Sequence, residues 1–141
     1  MVETCRVADY IAEFIEKIGV KNVFLLPGGG AMHLIDAVGK NKNIEVVACL
    51  HEQAAAISAE AYSRISENIG VAMVTTGPGA TNAITAVAGA WIESVPLIII
   101  SGQCKRSDML RDSPLRQKGV QEVDIVKMVK SITKYSVIVE N

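Results

Sequence analysis

The stretch GVAMVTTGPGATNAITAVAGAWIESVPLIIIS, residues 70–101, decides the fold class of this chain. It begins with an apolar run (70–76), turns through glycine and proline into an alanine-rich segment (77–94), and ends in a second apolar run (96–101). Apolar runs of this length are typical of strands that helices cover on both faces. The stretch therefore predicts a strand, a helix and a second strand parallel to the first.

The same alternation continues on both sides of this stretch. Toward the N-terminus the pattern predicts a helix over 5–18, a strand over 22–27, a glycine turn and helix closing near Gly39, a strand over 44–50 and a helix over 51–66. Toward the C-terminus it predicts a polar loop over 102–119, a helix over 121–131 and a last strand over 134–140. The predicted fold class is α/β: a doubly wound, mainly parallel sheet with helices on both faces, in a single domain over residues 1–141.

The composition excludes several classes of partner. Half of the 141 residues are hydrophobic and only 4% are aromatic, so Ile, Val, Leu and Ala must form the core. The net charge of −1 gives no electrostatic basis for binding nucleic acid or an anionic membrane, and no apolar run is long enough to span a bilayer. Three widely spaced cysteines and the lack of a signal peptide predict a cytoplasmic protein.

The unusual segments of the chain all follow predicted strands. They are PGGG (27–30), HEQ (51–53), TTGPGATN (75–82) and the loop that starts with SGQC at Ser101. In an open sheet of this kind, ligands bind at the carboxyl ends of the strands. We therefore expect these four segments to meet at one edge of the sheet and to form the ligand site.

Glu52 lies between a predicted buried strand and a helix rich in alanine. It could be a surface acid favoured by the positive end of the helix dipole, or a partly buried carboxylate able to exchange protons. The alanines favour the second interpretation, because they predict a helix packed closely on its neighbour. His51 could assist Glu52, although a single histidine is more often structural.

The glycine segments and the polar loop also have two interpretations each. PGGG could bring backbone close to a ligand or form only a tight turn. Thr76 and Asn82 could orient a ligand, or Thr81 could simply cap the next helix. The loop could be a mobile basic lid or a solvated surface; its basic residues are Lys105, Arg106, Arg111, Arg116 and Lys118. No complete G-x-G-x-x-G or P-loop pattern is present, which makes a nucleotide site a weak alternative.

Taken together, these segments resemble the pyrimidine-binding domain of thiamine diphosphate enzymes of the acetolactate synthase and pyruvate oxidase type. LPGGGAMHLIDAV is similar to the PGG turn of that family, and LHEQAAAISAEAYSR is similar to its HEQ helix. VAMVTTGPGATN is similar to the T-x-GPG-x-TN block, and VQEVDIV is similar to the FQE-x-DIV segment. The resemblance covers nearly the whole chain and implies the thiamine diphosphate-binding fold.

The resemblance also implies roles for individual residues. The glutamate matching Glu52 hydrogen-bonds N1′ of the cofactor's aminopyrimidine, and proton sharing there activates C2 of the thiazolium ring. Gln121 would lie near the thiazolium and the substrate as the second catalytic residue. The remaining cofactor-binding residues would be Pro27, Gly28, Thr76, Gly77, Pro78 and Asn82. No residue of this chain is expected to bind a metal.

The complete enzyme implied by the resemblance needs parts that this sequence lacks. Magnesium and the diphosphate are held by a GDG…N motif in a second domain, of the same or a partner chain, and FAD is possible in the full-length protein. We expect a homodimer or higher oligomer formed through small-residue helices at 52–62 and 79–90. The expected substrate is pyruvate or another 2-oxo acid. The chain would be the N-terminal part of a longer enzyme, inactive when isolated.

Three departures from the family pattern leave the acceptor substrate open, and two alternatives remain for the function. Leu26 precedes the proline where a tyrosine is common, Val120 replaces the phenylalanine of FQE, and an extra glycine extends PGG. The chain could instead be the small subunit of a split 2-oxo acid decarboxylase. It could also be a non-catalytic binding domain of the same fold.

Overall fold

The computed structural model describes residues 4–140 of the chain. Four strands and six α-helices alternate along it. The strands are β1 Asn22–Leu25, β2 Glu45–Ala48, β3 Gly70–Val74 and β4 Leu97–Ser101. The helices are α1 Val7–Lys17, α2 Met32–Lys40, α3 Glu52–Ser66, α4 Pro78–Asn82, α5 Ile84–Glu93 and α6 Ile125–Val129. Short 3-10 turns occur at Gly29–Ala31, Arg106–Asp108 and Lys130–Ile132.

The four strands form one parallel sheet in the order β2-β1-β3-β4. Val71 and Met73 of β3 pack in a cluster with residues of α1 and α2, whereas Ala72 and Val74 pack with residues of α3, α4 and α5. Side chains alternate between the two faces of a strand, and all four of these are fully buried. The doubly wound, mainly parallel sheet with helices on both faces is therefore confirmed.

Helix α3 lies unusually close to the sheet. Its alanines Ala55, Ala56 and Ala59 are completely buried. A Cβ atom added to Gly70 would meet the backbone carbonyl group of Ala59, with its carbon at 2.7 Å, so glycine is required where β3 begins beneath the helix. The close packing predicted from the alanines is confirmed, and the helix that begins at Glu52 packs directly on β3.

The strands end before the residues of the predicted ligand site. β1 ends at Leu25, β2 at Ala48 and β3 at Val74, two residues short of each predicted end. The remaining residues of each apolar run leave the sheet and form the loops at its carboxyl edge. The predicted helix over 77–94 is likewise divided at Ala83 into α4 and α5.

The C-terminal part of the chain differs most from the prediction. Residues 134–140 form no strand, and the prediction of a last strand there is wrong. A strand needs a partner strand, and these residues pair with none of the four; Tyr135 and Val137 are instead exposed. The predicted helix over 121–131 begins only at Ile125, because the carboxylate of Asp124 accepts a hydrogen bond from the backbone N–H of Lys127 at 3.0 Å.

Within residues 4–140, no helix combines the length and the apolar character needed to cross a membrane. The three cysteines, Cys5, Cys49 and Cys104, are free thiols.

Candidate functional site

The loops that follow β1, β3 and β4 pack against one another at the carboxyl edge of the sheet. The backbone N–H of Gly30 donates a hydrogen bond to Thr75 Oγ1 at 3.1 Å. A Cβ atom added to Gly28 would lie 2.6 Å from the same Oγ1 atom, and one added to Gly102 would lie 2.8 Å from the backbone nitrogen of Ala31. The expected convergence of these segments is therefore confirmed.

Glu52 is the first residue of α3 and is partly buried. The side-chain amide of Asn82, at the end of α4, donates a hydrogen bond to Glu52 Oε2 at 2.7 Å. Two helices that start from different strands thus bring an acid and an amide donor together. A hydrogen bond to an ionised oxygen is stronger than one between neutral groups, so Asn82 restricts the orientation of the carboxylate.

The two oxygens of Glu52 differ in their contacts with the described residues. Within residues 4–140, Oε1 has no hydrogen-bond donor. A Cβ atom on Gly79 would lie 3.4 Å from Oε1 and 2.6 Å from Thr75 Cγ2, so a side chain at Gly79 would clash with Thr75 and crowd Oε1. The carboxylate is therefore anchored through one oxygen and available to a ligand through the other.

His51 has a structural role in this arrangement. Its Nδ1 accepts a hydrogen bond from the backbone N–H of Gln53 at 3.2 Å and so caps the N-terminus of α3. The Asn82 amide nitrogen also lies 3.3 Å from His51 Nε2. A neutral imidazole has only one acceptor nitrogen, and the cap already uses it. The amide of Asn82 therefore binds Glu52, and the side chain of His51 caps α3.

Gly77 joins the GPG turn to the segment that contains Gln121. Gly77 has a φ of +59°, and a Cβ atom there would meet the carbonyl group of Gln121, with its carbon at 2.8 Å. Only glycine suits both the left-handed backbone and this close approach. The structure therefore brings Gln121, 69 residues after Glu52 in the chain, to the same edge of the sheet through its backbone.

The other residues predicted for the site lie around this centre. Thr76 is 5% exposed, and its hydroxyl donates a hydrogen bond to Gln103 Oε1 at 3.1 Å. Pro78 is exposed at the start of α4. Pro27 and Gly28 border an open, mainly apolar cavity of about 500 Å³ that Glu52 does not line. Thr76 and Pro78 thus lie in the turn next to Glu52, whereas Pro27 and Gly28 border that cavity.

Sequence reasoning missed three residues that organise the site. Thr75 contacts the positions of Gly28, Gly30 and Gly79, Gln103 receives the hydroxyl of Thr76, and Glu122 binds backbone N–H groups of the polar loop. The doubled threonine before GPG and the acid beside Gln121 were visible signals. The suggestion that Thr81 caps a helix is wrong, because its hydroxyl donates to the carbonyl of Pro78 at 3.2 Å and Gly77 precedes α4.

Glu52 gives this edge of the sheet a group capable of proton exchange. A carboxylate oxygen without a donor among the described residues can accept a proton from a polar group or return one. Within the part of the chain that the structure describes, no group of three His, Cys, Asp or Glu side chains could hold a metal ion.

Comparison with known proteins identifies the family of the chain. Residues 5–128 match the family described as thiamine pyrophosphate enzyme, N-terminal TPP binding domain. The chain is 39% identical over 132 residues to acetolactate synthase 2, chloroplastic, of Zea mays. The match covers 94% of the chain and 20% of the relative. It is 37% identical over 129 residues to the acetolactate synthase large subunit of Lactococcus lactis, which covers 92% of the chain and 21% of the relative.

A third relative extends the match to nearly the whole chain. The mitochondrial acetolactate synthase of Schizosaccharomyces pombe is 37% identical over 152 residues, with 99% of the chain and 22% of the relative covered. The chain thus spans about a fifth of the length of the curated relatives it matches.

Proposed function

Because the chain belongs to the thiamine pyrophosphate enzyme family as its N-terminal TPP-binding domain, we propose that Glu52 activates thiamine diphosphate in an acetolactate synthase-like enzyme. In the complete protein, the reaction would be decarboxylation and carboligation of pyruvate or a similar 2-oxo acid. The observation that carries the proposal is that, within residues 4–140, Asn82 donates to Oε2 of Glu52 and no donor binds Oε1.

The residues at this edge fit the aminopyrimidine half of the cofactor. Gly28, Gly77 and Gly79 allow Thr75 and the backbone of Gln121 to pack closely against the turns beside Glu52, which would give the ring a fixed border. A ring nitrogen also needs a carboxylate with a free oxygen, and Oε1 of Glu52 is one. Pro27, Pro78 and the backbone of Thr76 would border the ring.

The cofactor, when bound, supplies an electron sink that allows a 2-oxo acid to lose its carboxylate. The chain's own part is to control one proton. Glu52 would hold that proton at Oε1, while Asn82 keeps Oε2 occupied and so leaves a single oxygen for exchange. The carbonyl of Gln121 fixes the polar loop on Gly77, which would leave the Gln121 side chain close to the substrate.

The rest of the active site would come from outside this chain. We propose that Mg²⁺ and the diphosphate are held by a second domain, of the same or a partner chain, and that FAD binding is a property of the complete protein. The isolated chain would then be inactive, because it carries the proton-exchange half of the site alone.

Exposed apolar side chains support the proposed pairing of two copies through the small-residue helices. Ile57 on α3 and Trp91 on α5 are each 46% exposed, and Ile92 is 75% exposed. Burying such side chains against a second chain is favourable by roughly 25 cal/mol per Å² of apolar surface. A cytoplasmic location stays part of the proposal; relatives named chloroplastic and mitochondrial occur beside a bacterial one.

The test uses the complete enzyme with thiamine diphosphate, Mg²⁺ and pyruvate. Formation of acetolactate and release of CO₂ are measured for wild type, Glu52→Gln and the control Glu67→Gln. Glu67 follows the other end of the same helix and is exposed. We expect Glu52→Gln to lose at least about 100-fold in turnover, since it cannot exchange the proton. Wild-type turnover in Glu52→Gln would refute the proposal.

A further inference from the structure

The carboxylate of Glu122 joins separate parts of the loop between β4 and α6, residues 102–124. Glu122 accepts a hydrogen bond from the backbone N–H of Leu110, which lies 2.8 Å from Oε1 and 2.9 Å from Oε2. Its Oε2 also accepts from the backbone N–H of Gly119 at 3.1 Å. A single side chain thus joins segments of the loop 12 and 3 residues away.

Three further contacts close the loop around this carboxylate. Gln117 Nε2 donates to the carbonyl of Gly119 at 2.8 Å and to the carbonyl of Glu122 at 3.2 Å. Gly119 is buried, and a Cβ atom there would meet Cys104 Sγ and lie 2.8 Å from Glu122 Oε2. Burial, together with the charge of Glu122, raises the pKa of the Cys104 thiol, so a neutral group lies beside the carboxylate.

The closed loop is connected directly to the candidate site. Gln121 precedes Glu122, and its backbone is left-handed with a φ of +54°. Its carbonyl contacts Gly77, which is also left-handed. A non-glycine residue keeps a left-handed backbone only where surrounding contacts hold it there. For Gln121, the hydrogen bonds of the neighbouring Glu122 are among these contacts.

We propose that Glu122 is a positioning residue: its carboxylate ties Leu110 and Gly119 together and so keeps Gln121 against the GPG turn beside Glu52. The part of this proposal that concerns Gln121 rests on the proposed function; the tying of the loop does not. Glu122 touches no reacting atom in this account. It acts on the reaction only through Gln121.

Two variants separate the loop from the chemistry. Glu122→Ala removes every side-chain hydrogen bond to Leu110 and Gly119, whereas Glu122→Gln keeps one acceptor oxygen and replaces the other with a donor. Glu67→Gln is the control, because it removes the same charge outside the loop. Glu122→Gln keeps the test valid if the alanine variant does not fold.

The first readout is hydrogen–deuterium exchange of the complete enzyme, followed by mass spectrometry of peptides from residues 102–124. We expect exchange at Leu110 and Gly119 to rise about tenfold in Glu122→Gln and further in Glu122→Ala, with no change in Glu67→Gln. Unchanged exchange in both Glu122 variants would overturn the proposal, whatever the enzyme's activity.

The second readout is a double-mutant cycle between Glu122→Gln and Gln121→Ala, measured as kcat and KM for pyruvate. Because Glu122 acts through Gln121, the double variant should lose no more activity than Gln121→Ala alone, within about twofold. Independent losses that multiply would overturn the positioning role. Failure of the proposed function is distinguishable, since it would appear as full activity of Glu52→Gln while loop exchange still responds to Glu122.

Discussion

Two partly buried glutamates at the same edge of the sheet use their oxygens in opposite ways. Among the described residues, Glu52 is bound through Oε2 alone, and its Oε1 lies beside Gly79. Glu122 binds backbone N–H groups through both oxygens. A carboxylate that the backbone fully occupies holds structure, whereas one with a free oxygen has proton chemistry to offer. Burial alone does not separate these two roles.

The supports of the two acids differ as well. Glu52 begins a helix of 15 residues whose alanines pack directly on β3. Glu122 lies in an irregular loop whose shape depends on a few hydrogen bonds. The region of Glu52 should therefore resist local changes until its packing is broken, while the loop should respond to the loss of a single polar side chain.

The largest effect is expected from breaking the support of Glu52. Gly70→Ala places a methyl group against the carbonyl of Ala59, and α3 must move away from the sheet. We expect the free energy of unfolding to fall by about 3 kcal/mol, since overpacking against backbone is costly. Urea unfolding monitored by circular dichroism measures it.

Gly39→Ala is the matched control for that substitution. Within residues 4–140, a Cβ atom at Gly39 meets no atom within 4 Å beyond its chain neighbours and its own helix backbone, and the residue is exposed within α2. Alanine there should raise the free energy of unfolding by about 0.5–1 kcal/mol, because glycine is unfavourable inside helices. If both variants lost stability equally, the close packing of α3 would not be the cause.

The next effect comes from breaking the contact between the two regions. The methyl group of Gly77→Ala would meet the carbonyl group of Gln121, and the alanine would have to adopt a left-handed backbone. The backbone conformation alone costs about 1–2 kcal/mol. We expect a loss of about 2–3 kcal/mol in stability together with faster hydrogen exchange in residues 102–124. A variant with unchanged exchange there would show that Gly77 does not hold the loop.

Asn82→Ala sharpens the difference between the two acids. It frees Glu52 Oε2, so the carboxylate can rotate and offer either oxygen. A hydrogen bond to a charged group contributes about 1.5–3 kcal/mol, and we expect turnover of the complete enzyme to fall at least about tenfold. Asn43→Ala serves as control, because Asn43 binds Glu16 far from the site. Equal activities in the two variants would contradict the anchoring role of Asn82.

The smallest effect concerns charges that belong to neither region. Arg6 lowers the pKa of Asp9 through their hydrogen bond, and Lys40 lowers that of Asp36 in the same way. A lowered folded-state pKa adds stability above the unfolded value, near 4, and that stability is lost as the pH falls through the folded-state pKa.

Asp36→Asn removes one of these carboxylates, so the melting temperature should fall less between pH 5 and pH 2 than in the wild type. The difference should be small, because these pairs are on the surface. Differential scanning calorimetry of wild type and variant measures the difference. If the melting temperatures of wild type and variant fall equally over this pH range, the pair adds no stability.

The parts of the fold that follow from local pattern were predictable. Apolar runs mark β1–β4 because buried parallel strands leave no place for polar residues, and the alanines of α3 show its close packing. The strand predicted over 134–140 failed because apolar alternation does not supply a partner strand. The pattern describes the segment, whereas pairing depends on the rest of the sheet.

The candidate site was predictable in position but not in its bonds. The predicted strand ends placed Glu52 and Gly77 at one edge, whereas Gln121 was assigned to the site through the family resemblance alone. The pairing of Asn82 with Glu52 joins residues 30 apart in the chain, and the binding of Leu110 by Glu122 depends on how an irregular loop closes. Neither pairing has a periodic signal in the sequence, because such side-chain contacts depend on where the folded backbone places the two residues.

The most direct test of the account is the exchange rate of the C2 proton of thiamine diphosphate bound to the complete enzyme, measured by quenching in deuterated water and NMR. Glu52→Gln should slow this exchange at least about 100-fold and leave loop exchange unchanged, while Glu122→Gln should slow it less than about tenfold and loosen the loop. Wild-type C2 exchange in Glu52→Gln would contradict the account.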